Sequence, residues 1–240
     1  MGKTYIIAEI GINHNGDINL AKELIVGAYK SGCDAVKFQK RTIDEVYNKE
    51  DLDRPRDSPW GSTNRDLIEK HIEVDYHKVA SALATNKAFL SRLNETNKPV
   101  ILSTGMCSTE QIAAATALLT NVKYILACTS TYPTAPEEVN LRHITTLKEK
   151  YPETKIGFSN HYNGHDACVG AVALGAECVE FHITKDRTLY GSDQVASIEN
   201  YCSLLDGIRT MENMLGDGVK KIYETELPIE KKLRAVSDIL

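Results

Sequence analysis

The amino-acid sequence predicts a single parallel α/β barrel of the TIM type, with about seven recognisable strands of the usual eight. Short apolar runs alternate with helical segments, which is typical of strands buried on both faces. Polar residues follow nearly every run, as in barrels whose active site is built from the loops after the strands. The 240 residues suit one such barrel. We expect one domain at residues 1–240, with a core at 4–215 and a C-terminal extension at 216–240.

Each predicted strand is a short apolar run bounded by turn or helix signals. In chain order these runs are Tyr5–Ile10, Ala35–Phe38, Lys78–Ala80, Val100–Leu102, Tyr124–Ala127, Lys155–Phe158 and Cys178–Ile183.

Helices are predicted between the strands. From Ile18 to Lys30, apolar residues recur at helical spacing, and Gly32 follows as a stop signal. The other predicted helices are Asn86–Asn97, Thr109–Leu119, Pro136–Lys150, Asp166–Gly175 and Ile198–Leu215.

The first turn argues against an open nucleotide-binding sheet. It runs from Gly11 to Gly16 as Gly-Ile-Asn-His-Asn-Gly, which is neither the dinucleotide glycine fingerprint nor a Walker loop. A closed barrel is therefore favoured.

Two segments interrupt the alternation. Residues 40–62 form a charged excursion, and loops of that length in a compact domain are usually functional lids or flaps. The tail Glu224–Leu240 carries Pro228 and several charged residues and is expected to be a terminal extension.

Composition excludes several classes of partner. The net charge is −5 without a Lys/Arg block, which disfavours nucleic acid and anionic membranes. No apolar stretch reaches the ~18 residues of a membrane helix, and no signal-peptide pattern is present. The six cysteines form no C-x-x-C pair and indicate reduced thiols, so we expect a cytoplasmic protein.

Two histidines stand at the ends of consecutive predicted strands, His161 and His182. Neighbouring parallel strands lie about 4.8 Å apart, so both imidazoles could bind one divalent cation. The alternative is that they only form hydrogen bonds in the barrel mouth.

Two lysines, Lys37 and Lys78, lie inside otherwise apolar strands. A buried lysine without an anion would be costly. Each should therefore meet a carboxylate such as Glu9, or the phosphate or carboxylate of a ligand. Hydroxyls at the same level could complete a ligand site or could merely cap the structure; they are Ser81, Ser103, Thr104, Ser130 and Ser159.

Glu9 and Asp193 are the carboxylates that could bind a sugar or move protons. Glu9 is the stronger candidate because its strand is otherwise apolar, whereas an isolated loop acid such as Asp193 is usually only solvated.

Six segments, in this order, closely resemble the N-acetylneuraminate (sialic acid) synthase family: Ile7–Gly16, Val36–Gln39, Lys78–Ser81, Ile101–Met106, Gly157–His161 and Glu180–Thr184. The resemblance covers most of residues 4–215. It implies a (β/α)₈ barrel that condenses phosphoenolpyruvate with an N-acetylated aminosugar such as N-acetylmannosamine. It also implies a divalent metal, typically Mn²⁺, with Mg²⁺ and Co²⁺ as alternatives.

The resemblance also implies roles for the candidate residues. His161 and His182 correspond to the metal ligands, while Glu9 and Asp193 correspond to the carboxylates that hold the aldehyde sugar, with Glu9 also able to transfer a proton. The phosphoenolpyruvate pocket corresponds to Lys37, Lys78, Ser81, Ser103 and Ser159.

Three departures from the family pattern accompany this resemblance. Leu83 stands where the family usually has an acid, and a family asparagine is replaced within Ser130–Tyr132. A whole strand–helix unit is missing between Glu73 and His77, which should leave a tighter closure or a slit beside the Lys37 strand. We expect lower stability than in a complete relative. We also expect no antifreeze-like domain for exchange across a dimer, so a homo-oligomer remains possible but not by that exchange.

Two other functions remain open from the sequence. One is a catalytically impaired barrel that only binds ligand or acts as a scaffold, favoured by Leu83 and the missing unit. The other is a keto-deoxy sugar acid synthase, although Gly157–His161 and Glu180–Thr184 fit the sialic acid group better. The retained histidine and lysine pairs favour the sialic-acid-type synthase.

Overall fold

A computed structural model describes residues 2–39, 55–58, 61–63, 74–189 and 192–234. Seven parallel strands form one curved sheet, with helices between them. The strands of this sheet are β1 (Tyr5–Gly11), β2 (Ala35–Phe38), β5 (His77–Val79), β6 (Val100–Ser103), β7 (Val122–Cys128), β8 (Lys155–Asn160) and β9 (Cys178–His182). A separate antiparallel pair is formed by β3 (Pro55–Ser58) and β4 (Gly61–Thr63).

The helices follow the strands in the alternating order that the sequence predicts. They are α1 (Ile18–Ser31), α2 (Lys87–Asn94), α3 (Thr109–Leu118), α4 (His143–Lys150), α5 (Asp166–Ala173), α6 (Ser192–Val195), α7 (Tyr201–Leu215) and α8 (Leu227–Leu233), with single 3₁₀ turns at Ser81–Leu83 and Pro136–Glu138.

The sheet has the strand order β2-β1-β9-β8-β7-β6-β5. It is therefore a barrel arc, and the predicted seven-strand α/β fold is confirmed. Within the described ranges β2 and β5 do not pair, so these two strands form the edges of the arc. The tighter closure, one of the two expected outcomes of the missing unit, is therefore not observed among the described residues.

Two predicted helices begin later than expected. The prediction of one helix over Pro136–Lys150 is wrong, because Asn140 adopts a left-handed conformation with φ 48° and separates the 3₁₀ turn from α4. The helix predicted from Ile198 begins at Tyr201, since Ile198 forms a parallel bridge with Ile183 instead.

The unusual segments are described only in part. Of the predicted flap at 40–62, the structure describes β3 and β4, a hairpin that the sequence did not predict, and the remainder lies outside the described residues. In the tail, no residue of α8 is buried. In the part of the chain described, no helix has both the length and the apolar character needed to cross a bilayer.

Successive side chains point to opposite faces of each strand, and this gives two separate apolar layers. Outward residues such as Ile6, Ala8 and Ile10 pack against the helices in the main core. Inward residues near the strand starts form a small plug, in which the Tyr5 ring lies 5.9 Å from Tyr76 and 6.1 Å from Tyr124 between centroids. The other members of the plug are Ile7, Ala35, Ile101, Leu126 and Cys178.

One glycine is required by this plug. A Cβ at Gly157 would lie 2.5 Å from both the Cys178 carbonyl oxygen and a Leu126 methyl group, which is too close for any side chain. Gly157 therefore allows β8 to fit between its neighbours.

The same alternation places polar and charged side chains above the plug. Successive side chains on a strand point to opposite faces, so the residue two positions after each plug residue also faces inward. Counting two positions from Ile7, Ala35, Tyr76, Ile101, Gly157 and Cys178 gives Glu9, Lys37, Lys78, Ser103, Ser159 and Glu180.

Candidate active site

An open cavity of about 470 Å³ lies above the plug, at the carboxyl ends of the strands. Its wall contains all nine predicted site residues, namely Glu9, Lys37, Lys78, Ser81, Ser103, Ser159, His161, His182 and Asp193. The structure thus brings together residues that are as many as 184 positions apart in the sequence, from Glu9 to Asp193.

The two lysines meet carboxylates at the bottom of the cavity. Lys37 forms an ion pair with Glu9, as the sequence analysis expected. Lys78 instead lies 3.1 Å from a Glu180 oxygen and donates a hydrogen bond of 2.7 Å to Ser103 Oγ. Lys37 Nζ is 3.6 Å from the other Glu180 oxygen. Glu180 therefore joins both lysines.

Glu180 is the central residue that the sequence analysis missed. Its side chain is only 5% exposed. Burial alone would raise its pKa, but Lys78 and Lys37 outweigh burial and lower it to about 2. Burial lowers the pKa of Lys37 to about 8, although Glu180 opposes this. The sequence did contain a signal for it: Glu180 is an acid on an otherwise apolar strand, two positions before His182, so both side chains point to the same face of the sheet.

Hydrogen bonds hold the serine hydroxyl groups in place around Glu180 and the two lysines. Ser159 donates to Glu180 at 2.9 Å, and Ser81 Oγ accepts from the Gly105 backbone N–H at 3.0 Å. A Cβ at Gly105 would lie 2.1 Å from Ser130 Oγ and 2.7 Å from Ser81 Oγ. The close approach of these hydroxyls therefore needs glycine at this position.

The two predicted metal-binding histidines are neighbours in the upper wall. Their ring centroids are 5.3 Å apart. His161 Nδ1 lies 2.6 Å from the Thr129 carbonyl, a contact that fixes the proton on Nδ1 and leaves Nε2 as the electron-pair donor. The Tyr132 ring lies against His161, with centroids 4.1 Å apart and ring planes inclined by 38°.

His182 has a ring nitrogen that could bind a metal. Its Nδ1 is buried and has no hydrogen-bond partner among the described residues. Burial first, and then the charges of His161 and Lys37, lower its pKa well below the usual value. A neutral imidazole is the form that binds metals.

The donor set fits a divalent ion held by two protein nitrogens. In the described ranges there is no group of three or more His, Cys, Asp or Glu side chains arranged for a metal. Asp193 Oδ2 is 3.7 Å from His182 Nδ1. The two imidazoles would therefore leave the other coordination positions to water and substrate.

Asp193 is not the solvated loop acid that spacing alone suggested. It lies in α6 with its side chain 13% exposed and accepts a hydrogen bond of 3.0 Å from Gln39. Ser197 Oγ donates to the Asp193 carbonyl at 2.6 Å, and Asn13 donates to Ser197 at 2.8 Å. This buried network fixes α6 against the loop after β1.

The wall beside β5 is less polar. Leu83 and Phe89 line it and pack against the smaller core under α2. Asn86 also lines the cavity, but its side-chain oxygen caps α2 by accepting from the Phe89 N–H at 3.0 Å. None of these three residues supplies the acid that the family resemblance leads us to expect at position 83.

Comparisons with known proteins identify the relatives of this chain. The model for the NeuB family matches residues 54–220. Human N-acetylneuraminate-9-phosphate synthase is 33% identical over 272 positions, covering 95% of this chain and 76% of the human protein. The N,N'-diacetyllegionaminic acid synthase of Legionella pneumophila is 32% identical, covering 96% of this chain and 78% of that protein.

A solved structure of a related enzyme also resembles this chain. The N-acetylneuraminic acid (sialic acid) synthetase of Leptospira borgpetersenii, in complex with citrate, has a TM-score of 0.79 and 30% identity, covering 97% of this chain and 93% of that one.

The alignment with the human protein also includes positions that have no counterpart in this chain. It extends over 272 positions, whereas the chain has 240 residues. The alignment covers 95% of this chain, about 228 of its residues, so about 44 aligned positions (272 minus 228) have no counterpart here.

Proposed function

Because the chain belongs to the NeuB family, we propose that it condenses phosphoenolpyruvate with an N-acetylated aminosugar aldehyde, N-acetylmannosamine or a related sugar. The products are a sialic-acid-type nine-carbon 2-keto acid and phosphate. The observation that carries the proposal is a cavity whose wall contains two half-buried ammonium groups and two adjacent imidazoles.

The lower half of the cavity is suited to phosphoenolpyruvate. Lys37 and Lys78 supply two positive charges, and the hydroxyls of Ser81, Ser103 and Ser159 surround them. Cations and donors held rigidly in a partly buried site stabilise phosphate and carboxylate charge without covalent chemistry.

The upper half is suited to a metal and an aldehyde. His161 and His182 would hold the divalent ion, for which we propose Mn²⁺, with Mg²⁺ or Co²⁺ as alternatives. When bound, such an ion supplies Lewis-acid polarisation of the aldehyde. Asp193, which accepts a hydrogen bond from Gln39, would accept hydrogen bonds from the sugar hydroxyls.

The chemistry is carbon–carbon bond formation followed by loss of phosphate. C3 of phosphoenolpyruvate bonds to the aldehyde carbon, whose oxygen gains a proton. Water adds at C2, and the C2–O bond to phosphate then breaks to give the 2-keto acid. Glu9 lies at the junction of the two halves, beside Lys37, where it can transfer a proton to or from the substrates.

The test is phosphate release from phosphoenolpyruvate with N-acetylmannosamine and Mn²⁺. We expect release that needs both substrates and stops when EDTA removes the metal. A panel of N-acetylated and diamino-dideoxy aldehyde sugars would identify the preferred acceptor. Absence of release with every sugar, despite measurable phosphoenolpyruvate binding, would contradict the proposal and assign the chain as the ligand-binding barrel that Leu83 and the open edge favour.

A further inference from the structure

Glu180 is a buried carboxylate for which the proposed reaction has no use. One of its oxygens lies 3.1 Å from Lys78 Nζ and accepts from Ser159. Its other oxygen lies 3.6 Å from Lys37 Nζ and has no hydrogen-bond partner among the described residues. Glu180 thus contacts the same groups that would bind the substrate anion.

The charges around this point cancel. Lys37 and Lys78 contribute two positive charges, and Glu180 and Glu9 contribute two negative charges. Charges at 3 to 4 Å interact strongly in a buried site. An incoming phosphate must therefore compete with carboxylates that already neutralise both ammonium groups.

The two carboxylates are not equivalent. Among the described residues, Glu9 pairs with Lys37 alone, whereas Glu180 bridges both lysines and is also anchored by Ser159. The described part of the chain offers Glu180 no other cation to pair with when a ligand arrives. Its negative charge stays beside the bound anion.

We propose that Glu180 is an internal counter-ion, which holds both ammonium groups in the empty cavity and weakens the binding of phosphate-bearing anions. The penalty falls on the product phosphate as well as on phosphoenolpyruvate, so Glu180 favours product release. The inference rests on the proposed function in taking the anion to be phosphoenolpyruvate. Its test needs only binding.

The decisive variant is Glu180→Gln, which keeps the size of the side chain and removes its charge. A matched control is Glu177→Gln, because Glu177 is exposed, lies just before β9 and pairs with Lys155 at 3.5 Å. Calorimetric titrations with inorganic phosphate and with phosphoenolpyruvate would use pH 6.5, where Lys37, with a pKa of about 8, is protonated.

We expect Glu180→Gln to bind both anions about tenfold more tightly than the wild type, a typical size for one close charge pair. Glu177→Gln should match the wild type. Unchanged or weaker binding by a folded Glu180→Gln variant would overturn the proposal and make Glu180 an anchor that organises the lysines for the ligand.

A folding defect would not remove the test. If Glu180→Gln is unfolded alone, added phosphate should replace the lost counter-ion and restore the folded state, because ligand binding stabilises only that state. Recovery of far-ultraviolet circular dichroism with phosphate, but not with chloride at equal ionic strength, is the expected result. No recovery would contradict the proposal. Failure of the wild type to release phosphate would disprove the proposed reaction alone.

Discussion

Lys78 illustrates how a single inward position acquires its role. It follows the plug residue Tyr76 by two positions, so its ammonium group reaches the cavity and meets Ser103 and Glu180. Its side chain is only 10% exposed, which makes its electrostatic interactions strong and its replacement costly.

Replacing Lys78 with Met should weaken phosphoenolpyruvate binding by about tenfold to a hundredfold, since a hydrogen bond to a charged group contributes about 1.5–3 kcal/mol. Stability should also fall, because Glu180 loses its nearest cation. Lys155→Met is the control: Lys155 is 48% exposed and lies outside the cavity wall. Calorimetry would measure the phosphoenolpyruvate affinity of both variants. Equal affinities would exclude Lys78 from the anion site.

The histidine pair gives a second prediction at this scale. His182→Ala should abolish tight Mn²⁺ binding, because one imidazole cannot replace two. His143→Ala, which changes a partly buried histidine on α4, should bind Mn²⁺ like the wild type. Titration followed by electron paramagnetic resonance of free Mn²⁺ would measure the loss. Undiminished Mn²⁺ binding by His182→Ala would place the ion elsewhere.

The sequence predicted these residues unequally. The lysines and histidines could be found because charged or metal-binding groups stood out at the ends of apolar runs. Asp193 was a weak candidate from its own surroundings and gained a role from the family resemblance, since nothing local shows that Asn13 and Ser197 fix its helix in the wall. Glu180 was overlooked because its importance depends on two lysines that are distant in sequence.

At the scale of elements, helix starts position the loops that form the cavity. The α3 helix begins with a capping box, in which Ser108 accepts from the Gln111 N–H and the Gln111 side chain accepts from the Ser108 N–H. This box closes the loop that begins at Ser103. The cap thus links a local sequence signal to a cavity residue.

Ser108→Ala should lower the free energy of unfolding by about 1 kcal/mol, the usual effect of losing an N-cap. Ser203→Ala, at an exposed position within α7, should change it by no more than a few tenths of a kcal/mol. Urea denaturation would measure both. Equal unfolding free energies would show that the α3 cap contributes no stability.

Strand positions were predicted well because buried parallel strands are almost continuously apolar. Helix boundaries were predicted less well where one residue changed the path of the chain. Asn140 has a positive φ, and no periodicity reveals that. Ile198 was assigned to a helix because its apolar character also fits a bridge to Ile183.

At the scale of the whole molecule, the arc has two edges. The strands β2 and β5 each pair with one neighbour in the described ranges, whereas β1 and β6 to β9 pair on both sides. An edge strand leaves half of its backbone groups without a ladder partner. Glu9 and His182 lie on β1 and β9, and His161 directly follows β8; these three strands pair on both sides. Lys37 and Lys78, in contrast, lie on the edge strands β2 and β5.

Hydrogen exchange should show this difference directly. We expect amides in β2 and β5 to exchange at least about tenfold faster than those in β8 and β9, because edge strands open locally at lower free energy. Mass spectrometry of peptides spanning each strand would report the rates. Uniform protection of all seven strands would mean that the edges are covered and that the arc is closed in solution.

In the proposed reaction, this cavity joins phosphoenolpyruvate to an aminosugar with cleavage of the C2–O bond. The most direct measurement uses phosphoenolpyruvate labelled with ¹⁸O at the bridging oxygen, with N-acetylmannosamine and Mn²⁺, followed by phosphorus NMR. The account predicts that every released phosphate carries the label while a 2-keto acid accumulates in equal amount. Unlabelled phosphate, or no consumption of phosphoenolpyruvate with any aminosugar, would contradict it.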